Sequence, residues 1–245
     1  ANGVFITAAE KFPDGTTAKT MSVIYYPADL FEKVKWHDGN NLSIADFVMS
    51  MIELFDYGTE GSAIYDEDQA ANLQAYLTHF KGVQILSTDA LMSAPWDDNY
   101  YADAELDITT WWPEYGYGEA PWQTMTAAAL AEAAGELAFS ADKSAANEVE
   151  WTSFIAGPSL EIMTKYLDQA AAESYIPYAP TMSEYLTAEE AAARYASAKA
   201  FFEAKGHYWI GTGPYILNTV NTTEKIVTIV NNPDYPDLSD KWNMF

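Results

Sequence analysis

The stretch Val34-Lys35-Trp36-His37-Asp38-Gly39, followed by Leu42-Ser43-Ile44-Ala45-Asp46-Phe47, restricts the fold more than any other part of the chain. Asp38-Gly39-Asn40-Asn41 is a dense turn signal in which Gly39 supplies a positive φ, so residues 34–37 read as a short strand ending in a tight turn. Ser43 stands where a helix N-cap belongs, and Asp46 three residues on completes a capping box worth about 1 kcal/mol. Ile44, Phe47, Val48, Met51, Ile52 and Phe55 recur at the helical period, which predicts a helix with one buried face. Strand, turn and buried helix follow from this stretch, and its function stays open.

The same reasoning extends along the chain. Met21–Tyr26 reads as a strand ended by Pro27. A helix over about 66–80 is stopped by Gly82, and Ser87-Thr88-Asp89 turns a hairpin between residues 83–86 and 90–93. Pro121 opens a helix to about residue 139. A second helix over 145–155 is broken by Gly157-Pro158, and the next carries Leu160, Met163, Leu167 and Ala170 on one face. Thr187 to Glu190 caps a fourth helix, which ends at Lys205-Gly206 with Tyr195 and Phe202 on its apolar side. Strands 215–220 and 225–230 close the chain around a polar turn. The pattern predicts one α/β domain over residues 1–245, a mixed sheet with several covering helices. It includes an aromatic-rich loop region at 97–122 and returning strands at 207–245.

Composition limits the function. A hydrophobic content of 49% in 245 residues specifies a folded globule. Thirty-six acidic against 12 basic residues give a net charge of −24, which repels nucleic acid and anionic membrane surfaces alike. That charge reads as a solubility device, with a saline habitat as the alternative. The absence of cysteine removes disulfides and thiol chemistry. His37, His79 and His207 are scattered without ligand spacing, so no metal and no cofactor is expected. An EF-hand loop starting at Asp97 would need Gly at 102 and Glu at 108, where the chain has Ala102 and Ile108. Ser159 lacks the surroundings of a nucleophile elbow, Gly211 and Gly213 are followed by Pro214, and no carboxylate pair stands out. His37 beside Asp38 reads as turn structure rather than acid–base machinery. The binding candidates are aromatic: Trp111, Trp112, Tyr115, Tyr117 and Trp122 lie beside flexible glycines and could line a groove, or could cover the helices that follow.

Two motifs add a resemblance. Lys35-Trp36-His37-Asp38-Gly39 with Ser43-Ile44-Ala45-Asp46-Phe47-Val48 is similar to the signature of the family 5 extracellular solute-binding proteins, the peptide and nickel receptors of ABC importers. Gly211-Thr212-Gly213-Pro214-Tyr215, then Asn232-Pro233-Asp234-Tyr235, resembles the family's later strand motif, in the right order. The stretch from about 80 to 206 matches only loosely. The resemblance implies a lobe of a periplasmic-binding-protein-like fold of the peptide-binding type, part of a larger two-lobed receptor. Such a lobe is a non-enzymatic, monomeric wall of a cleft for peptides or similar solutes, handing its solute to a membrane permease. It implies an extracellular or periplasmic site, membrane-anchored in the full-length protein, and weak binding by one wall alone. Trp36, His37, Asp38, Gly39, Gly211, Gly213, Pro214 and Tyr215 carry over as structural signatures only. The competing expectation is an extracellular glycan-binding module or glycosidase using the aromatic groove.

Overall fold

The computed structural model describes residues 4–100, 102–103, 111–116, 118–241 and 243. Thr7 and Glu10 cap the short helix α1 (Ala8–Lys11) reciprocally. The strand expected over 21–26 is split into β1 (Thr20–Met21) and β2 (Ile24–Tyr25), followed by α2 (Leu30–Lys33). Residues 34–42 make a loop rather than a strand. Trp36 N–H donates to Asn40 O and Leu42 N–H to Val34 O, and Lys35 bridges Asn41 alone. Gly39 turns this loop at φ 89°.

Helix α3 (Ile44–Gly58) begins as the capping box predicts: the Asp46 carboxylate accepts from the Ser43 N–H and hydroxyl, both at 2.9 Å. It is buried almost all round, not on one face, because Met49, Glu53 and Tyr57 on the side away from the stripe are covered too. Helix α4 (Glu67–Leu77) crosses it closely. A Cβ on Gly58 would lie 2.5 Å from Leu73 Cβ. The helix expected to reach residue 80 stops three residues earlier. There the Thr78 hydroxyl donates to Ala75 O, and Phe80 leaves the helix to stack on Tyr76 at 4.7 Å.

Strands β3 (Phe80–Ser87) and β4 (Met92–Asp97) form the expected hairpin, and β4 also pairs with β1 and β2 on its other side. All these pairings are antiparallel. β5 (Glu114–Tyr115) and β6 (Gly118–Glu119) make a small hairpin inside the aromatic segment. Helix α5 (Trp122–Ala133) ends at Gly135, φ 73°, short of the expected 139, and β7 (Leu137–Ala138) follows. The helix expected at 145–155 is instead α6 (Ala141–Asn147), capped by Ser140 and ended by Glu148 at φ 55°. The next residues, β8 (Glu150–Trp151), pair in parallel with β7.

Helices α7 (Ser159–Glu173), α8 (Ala179–Met182) and α9 (Ala188–Lys205) complete the helical part. Ala127, Ala128 and Ala131 of α5, Ala170 of α7 and Ala198 of α9 are fully buried, which lets these helices approach closely around Trp122, Met163, Leu167 and Tyr195. Strands β9 (Tyr215–Asn221) and β10 (Ile226–Asn231) return as an antiparallel hairpin whose outer strand is exposed throughout. The fold is mixed α and β with helices predominating. In place of one mixed sheet, the described residues form four small sheets, of which only the β7–β8 pair is parallel.

Candidate functional site

The two sequence motifs meet in space. His37 N–H donates to Gly211 O at 2.9 Å, and Gly211 N–H donates back to His37 Nδ1 at 3.2 Å. With Nδ1 accepting, Nε2 carries the proton and donates to Gly213 O at 3.0 Å. Asn232 adds its N–H to Pro214 O and its amide to Gly213 O. Tyr215 follows on β9, largely exposed. Trp36 is buried and donates to Asp46 at 3.1 Å, while Asp38 accepts from Asn40 N–H and from Gln123. The ring of His37, the carboxylates of Asp38 and Asp46 and the amide of Asn232 are all engaged internally, which makes the joint a scaffold.

Asp46 is the centre of that scaffold. Its carboxylate accepts from Trp36, Ser43, Trp122 N–H and Arg194, and Arg194 in turn donates to Gln123 and to Asn41 O. The residues the sequence reading missed here are Gln123 and Arg194; a lone arginine inside a helix that otherwise carries lysines was the available signal.

The aromatic candidates divide. Trp122 is fully buried in the core, edge-on to Tyr195 at 5.2 Å with the Arg194 guanidinium 5.8 Å from its ring, so it lines no groove. Trp112 packs edge-on against Phe47 at 5.6 Å and donates to Glu119, which holds it to the core as well. Both rings have core partners that outweigh a solvent-facing role. Tyr117 lies outside the described residues. Trp111 and Tyr115 do come together, in the wall of a cavity of about 320 Å³.

Helix α3 gives this cavity Ser50, Glu53 and Tyr57, α4 gives Gln69 and Asn72, and α5 gives Met125. Trp111, Glu114, Tyr115 and Gly116 close it from the loop side. Tyr26 fixes Trp111 there by hydrogen bonds to its carbonyl and, at 3.2 Å, from its N–H. The lining runs from exposed Asn72, Glu114 and Gly116 to buried Ser50, Glu53 and Tyr57. Glu53 is 1% exposed, and among the described residues neither of its oxygens has a hydrogen-bond partner; nor has the Tyr115 hydroxyl. Burial, then the neighbouring carboxylates Glu132 and Asp56, push the Glu53 carboxyl well above the usual range. Burial and Glu53 likewise raise the Tyr115 phenol. Burial also raises Glu132, against the opposing pull of Lys143 at 2.6 Å and Tyr57 at 3.0 Å.

Glu53 was not singled out in the sequence, where it reads as the polar side of an amphipathic helix. The signal was its column: Met49, Glu53 and Tyr57 share one helical line, and a line with two large apolar residues is not a solvated one. The arrangement is a cavity whose wall holds a buried carboxyl and a buried phenol without hydrogen-bond partners among the described residues. Among the described residues no three His, Asp or Glu side chains converge as a metal set, and no helix is long and apolar enough to cross a membrane. By sequence, the chain matches no family model and no curated protein.

Proposed function

We propose that this chain is a solute-binding component of an ABC importer, a periplasmic-binding-protein-like lobe of the family 5 type that takes up peptides or similar small solutes. The observation that carries the reading is the cavity beside α3, walled by Trp111 and Tyr115 and holding two buried polar groups without partners among the described residues. Buried polar groups are paired in nearly all native structures, and a small apolar pocket with a few convergent polar groups is the usual form of a ligand site. The resemblance of residues 35–48 and 211–215 to the receptor family supports the same reading, and the hydrogen bonds from His37 to Gly211 and Gly213 give those motifs a common structural task. In this reading the protein binds without chemistry, works outside the cell, and has a membrane permease as its partner.

Titration of the 245-residue protein with a mixed tripeptide library, followed by calorimetry and by protein NMR shifts, tests it. One wall of a cleft is expected to hold peptides with millimolar dissociation constants, at shifts that cluster around Ser50 to Tyr57 and Trp111 to Gly116. Hydrolysis of chromogenic glycosides would replace the reading with the glycosidase alternative, which the two cavity carboxylates Glu53 and Glu114 make the specific competitor.

A further inference from the structure

We propose that the cavity is a cation site: it takes a protonated organic amine of the solute, with the Glu53 carboxylate as counter-ion and the Tyr115 hydroxyl as a second acceptor. This rests on the solute-binding reading and names the chemical class of the solute.

Glu53 is the exception among the buried carboxylates around it. Asp46 has donors on both oxygens, Asp56 accepts from Tyr178 at 2.8 Å, Glu132 from Tyr57, and Asp38 from Asn40 and Gln123. Glu53 alone accepts from none, although both its oxygens are shut from solvent and its residue lines an open space. An ammonium group has three donors and no acceptor, and among the buried atoms of the described lining residues the two Glu53 oxygens and the Tyr115 oxygen are the three acceptors without a partner.

The surroundings select the sign of the guest. The described lining residues include two carboxylates, two amides and three aromatic rings, and no basic side chain. Asp56 on the same helix and Glu132 from α5 add negative charge behind Glu53. Lys143 is committed to Glu132 and Arg194 to Asp46. An anion would meet repulsion from the carboxylates; a cation meets a charge-assisted bond and aromatic rings. The volume, about 320 Å³, is at the small end of ligand pockets, so the guest is a small amine or the amino-terminal residue of a peptide.

The groups facing Glu53 also set a pH dependence. Glu114 and Tyr115 of β5, Asp56 and Tyr57 of α3, Glu132 of α5 and Tyr178 before α8 bring no positive charge, and burial holds the carboxyl of the empty cavity to its proton well above the usual carboxylate range. An arriving ammonium displaces that proton to solvent. Binding therefore tightens as pH rises, by up to about tenfold per unit below the carboxyl's own pKa in the empty cavity.

The test is an NMR shift titration of the whole 245-residue protein with four probes: benzylamine, benzyl alcohol, trialanine and N-acetyl-trialanine. Benzylamine is expected to bind at least about tenfold more tightly than benzyl alcohol, and Glu53→Gln to abolish that preference with a loss of about 10- to 100-fold. Tyr115→Phe, which keeps the ring, is expected to lose a smaller factor. The Glu53 side-chain carboxyl carbon should move to its ionised position on binding, which a purely structural glutamate would not do. If trialanine binds and its acetylated form does not, the cation is a peptide terminus. If benzylamine alone binds, the cation site stands and the peptide reading falls. Equal binding of amine and alcohol, affinity flat between pH 5 and 7.5, or an amine preference surviving in Glu53→Gln would overturn the cation site and leave solute binding standing. Should Glu53→Gln fail to fold, Tyr115→Phe and the wild-type pH series decide the matter.

Discussion

Arg194 and Asp46 lie 148 residues apart and form a buried ion pair at 2.7 Å, at the point where the first motif, the start of α5 and helix α9 converge. Removing one member strands the other's charge in the core, which costs about 3–5 kcal/mol. Arg194→Leu should lower the urea midpoint accordingly, with Asp46→Asn in the same chain restoring part of the loss. A midpoint unmoved by Arg194→Leu would take the pair out of the framework.

Two glycines fail for different reasons. Gly39 has open space around its missing side chain but sits at φ 89°, so Gly39→Val should cost about 1–3 kcal/mol through backbone strain alone. Gly58 has ordinary helical geometry, but its new Cβ would meet Leu73 Cβ at 2.5 Å, and Gly58→Ala should push α3 and α4 apart at a cost of about 1–3 kcal/mol. Thermal melts measure both. Shortening Leu73 to Ala removes its Cδ2 but keeps the Cβ that the new methyl meets, so it should not rescue Gly58→Ala, and it should leave Gly39→Val unchanged.

Glu53 should make the protein less stable as pH rises. Its carboxyl is raised in the folded state by burial, so its protonated form is fully compatible with folding below the unfolded value of about 4.3. Above that, the unfolded chain ionises while the folded chain resists, and stability declines with pH. Glu53→Gln should therefore raise the melting temperature at pH 7 by several degrees, for a gain of about 1–3 kcal/mol, and change little at pH 4. A variant less stable than the wild type at pH 7 would mean that the carboxyl has a partner in solution.

His207 works in the opposite direction. It donates from Nε2 to Leu217 O and accepts at Nδ1 from Trp209 N–H, an arrangement only the neutral ring can make. Burial lowers its pKa, so below about 6.5 the unfolded chain binds a proton that the folded chain refuses, and stability falls as pH falls. His207→Gln should flatten the melting temperature between pH 7 and 5, and an unchanged slope would assign the acid loss to other groups.

Local signals in the sequence translated well. Ser43 with Asp46 and Thr187 with Glu190 are capping boxes in the structure, and the turns at 88–91 and 222–225 close the two hairpins. Such features depend on neighbours within four residues, which the sequence prints side by side. What depends on distant neighbours did not show. Phe80 reads as helical until Tyr76 and β4 take it into a strand, and residues 149–151 read as helical until β7 offers a parallel partner. The site was half visible for the same reason. Trp111 and Tyr115 announced themselves as aromatic, whereas Glu53 joins the cavity wall only when α5 and the loop before it cover a face that looked solvated.

The wide separation of Asp46 from Arg194 also has a consequence in time. A ribosome adding about 5–20 residues per second needs roughly 7–30 s to go from one to the other. Through that interval the Asp46 carboxylate can gather Trp36, Ser43 and Trp122 but has no cationic partner. The charge that the core encloses is therefore balanced only once α9 has emerged.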